Sequence, residues 1–219
     1  MIGAATNKDF GVIATDSAQY DTEKKAVTFE SPKLAILPHG AMSFIGTGLY
    51  FVNMDRTKLT RPFGEMCLYL SEYLKTQREP VAKLMKEGIS DVDEQDPNFC
   101  LFLLGFHNGH PVVAQLNSFA DFVPRYLWSS NGLKFSTILY GDDSDKAKLF
   151  KSATEYAEMK AKSYENLTPG IVGEILTRSI YRKADEEMKI GDKKKYAGGP
   201  VNCAMVDKNG VRPLSGWVC

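Results

Sequence analysis

The chain is poor in the residues that build covalent or metal frameworks. Its 219 residues include four cysteines, Cys67, Cys100, Cys203 and Cys219, with no CxxC pair among them. Three of these lie in apolar surroundings that suit buried, reduced thiols, which argues against a disulfide scaffold or a zinc site. There are three histidines, His39, His107 and His110, each within two residues of Pro or Gly in turn-like contexts and away from metal-ligand spacing, so they are expected as turn or surface residues. Net charge is missing too: 27 basic side chains balance 27 acidic ones, leaving no long-range field for nucleic acid or anionic lipid, and such a partner would need a local patch. No apolar run approaches the roughly 20 residues of a membrane span. The segment Met1 to Lys8 lacks the basic stretch and long apolar run that export requires, so the expected location is the cytoplasm. Neither internal repeats nor low-complexity tracts are present, and no metal or organic cofactor is implied.

What remains is ordinary globular composition, 43% apolar and 25% charged, in a chain long enough for a large core and read as one domain over 1–219. Short apolar runs dominate the start. Ile2 to Thr6 and Gly11 to Asp16 flank polar turn residues as a hairpin; Lys25 to Phe29, Lys33 to Leu37 and Met42 to Ile45 add strands. The period then lengthens. Leu49, Val52 and Met54 begin one helical pattern, and Phe63, Met66, Cys67, Leu70, Tyr73 and Leu74 form a second behind Pro62, so two helices are expected there. Lys86 to Pro97, with five acidic residues, reads as an exposed connection.

Strands resume at Phe99 to Phe106 and Pro111 to Leu116 around the turn His107-Asn108-Gly109-His110, followed by Tyr126 to Trp128 and Phe135 to Tyr140. Two long helices follow, Asp145 to Lys162 and Thr168 to about Met188, the latter with Thr168 as N-cap and Pro169 in its first turn. A closing hairpin spans Val201 to Val206 and Val211 to Val218. Strands, two helices, strands, two helices, strands is satisfied by an α+β fold: a four-layer αββα sandwich of two stacked antiparallel sheets flanked by helices.

In order and spacing, Gly11-Val12-Ile13-Ala14-Thr15-Asp16-Ser17, Ser31-Pro32-Lys33-Leu34 and Phe44-Ile45-Gly46-Thr47-Gly48 resemble successive strands of proteasome β-type subunits and the related bacterial HslV peptidase. Leu103-Leu104-Gly105-Phe106 with Gly109-His110-Pro111, Tyr140-Gly141-Asp142-Asp143 and Ala197-Gly198-Gly199-Pro200-Val201 extend the resemblance over nearly the whole chain. It implies the N-terminal-nucleophile hydrolase fold and threonine-type proteolysis, in which a terminal threonine hydroxyl attacks and its own α-amine is the base. Carried over residue by residue, Lys33 matches the lysine that keeps positive charge beside the nucleophile, Asp16 the aspartate that orients it, and Gly46 the glycine whose N–H meets the oxyanion. Asp185 could match a supporting aspartate near the last helix. Each has a plainer reading: a turn-closing acid for Asp16, a solvated lysine, a glycine needed for its φ angle, an exposed acid in a last helical turn.

The departure is at the front, where Met1 falls on the nucleophile position and its thioether has no proton to lose. Asp142 and Asp143 stand where active members carry Gly-Ser-Gly, and the Ser-Gly pair expected after Asp185 is displaced by Glu186 to Tyr196. An alternative start at Thr6 would delete most of the first strand. Three readings stay open: a non-catalytic, proteasome-like ring subunit; an active peptidase, amidohydrolase or transpeptidase whose N-terminus is exposed by processing; or an unrelated α/β binding protein. The resemblance implies homo- or hetero-oligomeric ring partners, and a peptide or protein substrate if the chain is active. The acidic stretch Glu87 to Asp96 and the basic loop Lys189 to Lys195 could pair between neighbours or be solvated loops.

Overall fold

A computed structural model of the chain describes residues 1–17, 19–21, 26–28, 32–88, 99–138, 154–190 and 199–214. The first hairpin forms where the sequence is most continuously apolar. Strands β1 (Ile2–Thr6) and β2 (Phe10–Thr15) are buried along their full length. Asn7 closes the turn between them, its Oδ1 accepting from the backbone N–H groups of Asp9 and Phe10 at 2.9 and 2.8 Å. Alternation divides the hairpin between two cores. Ile2, Ala4 and Ile13 face one way, and Ala5, Val12 and Ala14 the other.

After the short hairpin β3 (Gln19–Asp21) and β4 (Ala26–Thr28), strands β5 (Ala35–Leu37), β6 (Gly40–Ile45), β7 (Cys100–His107), β8 (His110–Asn117) and β9 (Arg125–Leu127) form a five-stranded antiparallel sheet in that order. Strands β10 (Lys134–Ile138), β11 (Asn202–Asp207) and β12 (Gly210–Pro213) join the first hairpin in a second antiparallel sheet, ordered β10-β1-β2-β11-β12. The chain therefore changes sheets between β9 and β10, around Asn131-Gly132.

Helix α1 (Phe63–Gly88) covers the outer face of the β5–β9 sheet through Met66, Cys67, Leu70, Leu74 and Val81. Residues 154–161 form helix α2 where described, and α3 (Pro169–Ile190) follows; Ala157, Ala161, Val172, Ile175, Leu176 and Ile180 cover the outer face of the other sheet. A third core, with Ile2, Ile13, Phe102, Leu104 and Val206, fills the space between the sheets. Each large aliphatic or aromatic side chain so buried contributes about 1.5–3 kcal/mol of transfer free energy. The protein is thus α+β with two antiparallel sheets and helices on their outer faces, an arrangement compatible with the expected four-layer sandwich.

Two expectations for the helices need correction. The pattern at Leu49, Val52 and Met54 yields no α-helix. Short 3-10 turns occupy Gly48–Phe51 and Arg56–Thr60, each started by a side-chain cap, Thr47 on the Leu49 N–H and Asp55 on the Thr57 N–H. Helix α1, conversely, runs past its apolar stripe and through Pro80 to Gly88, because Val81 is buried against the core and Met85 partly so. A proline inside a helix forfeits one backbone hydrogen bond, a cost that this burial offsets. Helix α3 opens as expected, with the Ile171 N–H donating to Thr168 Oγ1 at 3.3 Å. The Tyr140 to Asp143 turn, the first part of the helix expected from Asp145, most of Glu87 to Asp96, most of Lys189 to Lys195 and the end of the closing hairpin lie outside the described residues.

Candidate functional site

The register of the first hairpin sets the centre of the site. Ile2 pairs with Thr15, so the next residues out along the ladder, Met1 and Asp16, lie side by side, and the Asp16 N–H donates to the Met1 carbonyl at 3.2 Å. The Asp16 side chain is fully buried, and its Oδ1 accepts from the Met1 amine at 2.7 Å. Lys33 enters just before β5, from the other sheet, and its Nζ reaches the same oxygen at 3.0 Å with 14% of its side chain exposed. One buried carboxylate thus joins two cations delivered by elements distant in sequence. A buried charge is tolerated when it is paired in this way, since attraction at contact distance offsets the lost hydration.

Around this centre is a second set of polar contacts that sequence reasoning did not single out. Thr15 Oγ1 donates to the Asp16 carbonyl at 3.2 Å and accepts from Ser43 Oγ on β6, also at 3.2 Å, a hydroxyl link between the two sheets. Ser17 Oγ donates to the Pro200 carbonyl at 2.6 Å and accepts from Asn202 Nδ2 at 3.4 Å, which ties the end of β2 to the start of β11. A signal was present for Ser43: a lone hydroxyl within Met42-Ser43-Phe44-Ile45 requires a buried partner.

Of the five residues assigned to the site, the structure brings together Met1, Asp16 and Lys33. Gly46 directly follows β6, is exposed and has φ 108°, a left-handed backbone that favours glycine. Asp185 is exposed on α3, and no bond among the described residues joins it to the buried Asp16.

Met1 is 3% exposed, and its side chain packs in the core beneath α3 with Val201, Cys203 and Met205. A thioether anchored there offers neither an O–H nor an S–H to activate. The three cysteines among the described residues are not activated thiols either. Burial pushes the Cys67 and Cys100 thiols up to about 12 and raises Cys203. Among the described residues no group of three or more His, Cys, Asp or Glu side chains is placed to hold a metal, and no helix is long and apolar enough to cross a membrane.

No protein-family model matches the chain, and no curated protein does either.

Proposed function

We propose that the chain is a proteasome β-type-like subunit with the N-terminal-nucleophile hydrolase fold, non-catalytic with Met1 at the nucleophile position. The observation that carries this reading is the convergence of the Met1 amine and the Lys33 ammonium on one Asp16 oxygen, at 2.7 and 3.0 Å. Asp16 and Lys33 are the residues that the resemblance assigns to orienting the lysine and to keeping positive charge beside the nucleophile, and here a buried thioether stands in place of the hydroxyl. The role is that of a structural member of a homo- or hetero-oligomeric ring in the cytoplasm, with no nucleic acid or membrane partner.

A second reading is favoured by the same contacts. Asp16 and Lys33 stay in place around the first amine, as they would in an active threonine-type peptidase, amidohydrolase or transpeptidase whose mature N-terminus is exposed by processing. One experiment separates the two. The purified particle is treated with an electrophile directed at N-terminal threonine, its intact mass is measured and any adduct is located. An unlabelled chain that retains Met1 inside an assembled particle supports the scaffold; an adduct on a new terminal Thr, Ser or Cys supports the enzyme. A 24.4 kDa monomer at every concentration by light scattering counts against the ring.

A further inference from the structure

At the end of the sheet remote in sequence from Asp16, two imidazoles stack on two aromatic rings. His107 and His110 close the β7–β8 ladder as directly opposed partners around Asn108-Gly109, and both turn residues have positive φ, 50° and 82°. The His107 ring stacks on Tyr126 at 5.7 Å between centroids and 14° between planes. His110 stacks on Trp128 at 5.3 Å and 18°. Alternation along the strands puts all four rings on the face covered by α1.

The two stacks are held differently. Tyr126 is anchored: its hydroxyl lies beside the buried Cys67 thiol of α1, and burial pushes the phenol up to about 12. His107 lies against Phe63 and against Gly64, where a Cβ would come within 2.6 Å of the imidazole. Trp128, by contrast, lies just past the three-residue ladder of β9 and is 48% exposed. His110 is exposed as well. Strand β9 is the last in its sheet, attached by three paired residues, by Leu127 packed against the inter-sheet core and by these ring contacts.

The geometry points to a proton-operated clasp: protonation of His110 converts its stack on Trp128 into a cation–π contact, holding edge strand β9 more firmly as pH falls. A cation over an indole face gains free energy that a neutral ring does not, and imidazole is the side chain whose ordinary titration falls in the physiological range. Among the described residues, the groups facing the pair are the rings of Phe63, Tyr126 and Trp128, the Gly64 backbone in the first turn of α1 and each imidazole across from the other. Cys67 lies behind Tyr126, Glu65 is in the same first turn of α1, and Arg125 points to the opposite face of β9 by alternation. Like charges directly opposed across a ladder repel, so the clasp uses one proton, on the exposed His110 over the better π partner.

The test is amide hydrogen exchange of the segment 123–128 in the full chain at pH 5.5 and 7.5, after correction for the intrinsic exchange rate. The expected result is a protection factor about two- to fivefold higher at the lower pH, the size of an exposed cation–π contact. His110→Gln is expected to abolish the difference, while Arg125→Gln, on the other face, retains it. Equal protection of the wild type at both pH values overturns the proposal, as does an undiminished pH effect in His110→Gln.

Discussion

Replacing Asp16 with Asn keeps the shape of the side chain and an acceptor oxygen while removing the charge on which the Met1 amine and Lys33 converge. The carboxylate is fully buried and the Met1 side chain next to it is closed off. Breaking a buried ion pair by removing one partner costs about 3–5 kcal/mol, since the remaining charge keeps its desolvation penalty. With a urea m-value of about 2 kcal/mol/M, the unfolding midpoint of Asp16→Asn is expected to fall by roughly 1.5–2.5 M. Circular dichroism and fluorescence should be followed together so that coincident transitions establish two-state behaviour. Lys33→Met, which leaves Asp16 its contact with the amine, should cost less, about 1.5–3 kcal/mol, the worth of a charged hydrogen bond. The double variant should cost less than the two singles combined, with a coupling energy of about 0.5–3 kcal/mol. A loss below about 1 kcal/mol for Asp16→Asn, or strict additivity in the cycle, would refute the view that this carboxylate neutralises both cations; surface pairs behave in that way.

Gly105→Ala tests the packing of α1 on its sheet: the added Cβ would fall 1.9 Å from Phe63 Cδ2, so a loss of about 1–3 kcal/mol or more is expected from the urea midpoint. In a Cys219→Ser background, a chromogenic thiol reagent at pH 8 should react with Cys67, Cys100 and Cys203 only as urea unfolds the chain, because burial raises all three thiols; rapid reaction of the folded protein would contradict that burial. Arg212 donates to both carboxylate oxygens of Asp207, at 3.1 and 2.6 Å, and holds this acid below its ordinary value. A depressed carboxyl stabilises the fold above its unfolded pKa and loses that contribution as pH falls through the folded one. The gap in melting temperature between wild type and Arg212→Gln should therefore be constant above about pH 5 and shrink below about pH 4; a gap that persists at pH 2 would contradict the assignment.

Local chemistry determined the elements that the sequence could announce by itself. Asn7 between two apolar runs, Asn108-Gly109 between two more and Thr168-Pro169 before an apolar stripe each act within a few residues, so their hairpins and helix start were legible. The 3-10 turns at Gly48–Phe51 and Arg56–Thr60 were not, since a few apolar residues at helical spacing do not distinguish a turn from a helix. Nor was the passage of α1 through Pro80, which depends on Val81 meeting a core assembled from other segments.

At the site, the neighbourhood of Met1 and Asp16 follows from hairpin register and was already present in the spacing of two strands around one turn. The arrival of Lys33 from the other sheet, the Thr15–Ser43 link and the latch from Ser17 to Pro200 belong to the tertiary structure alone. They require β2 to lie between β1 and β11, a pairing of residues almost two hundred positions apart, and the two sheets to stack face to face. Burial patterns record that a side chain is covered; which distant side chain covers it is decided only when the layers close.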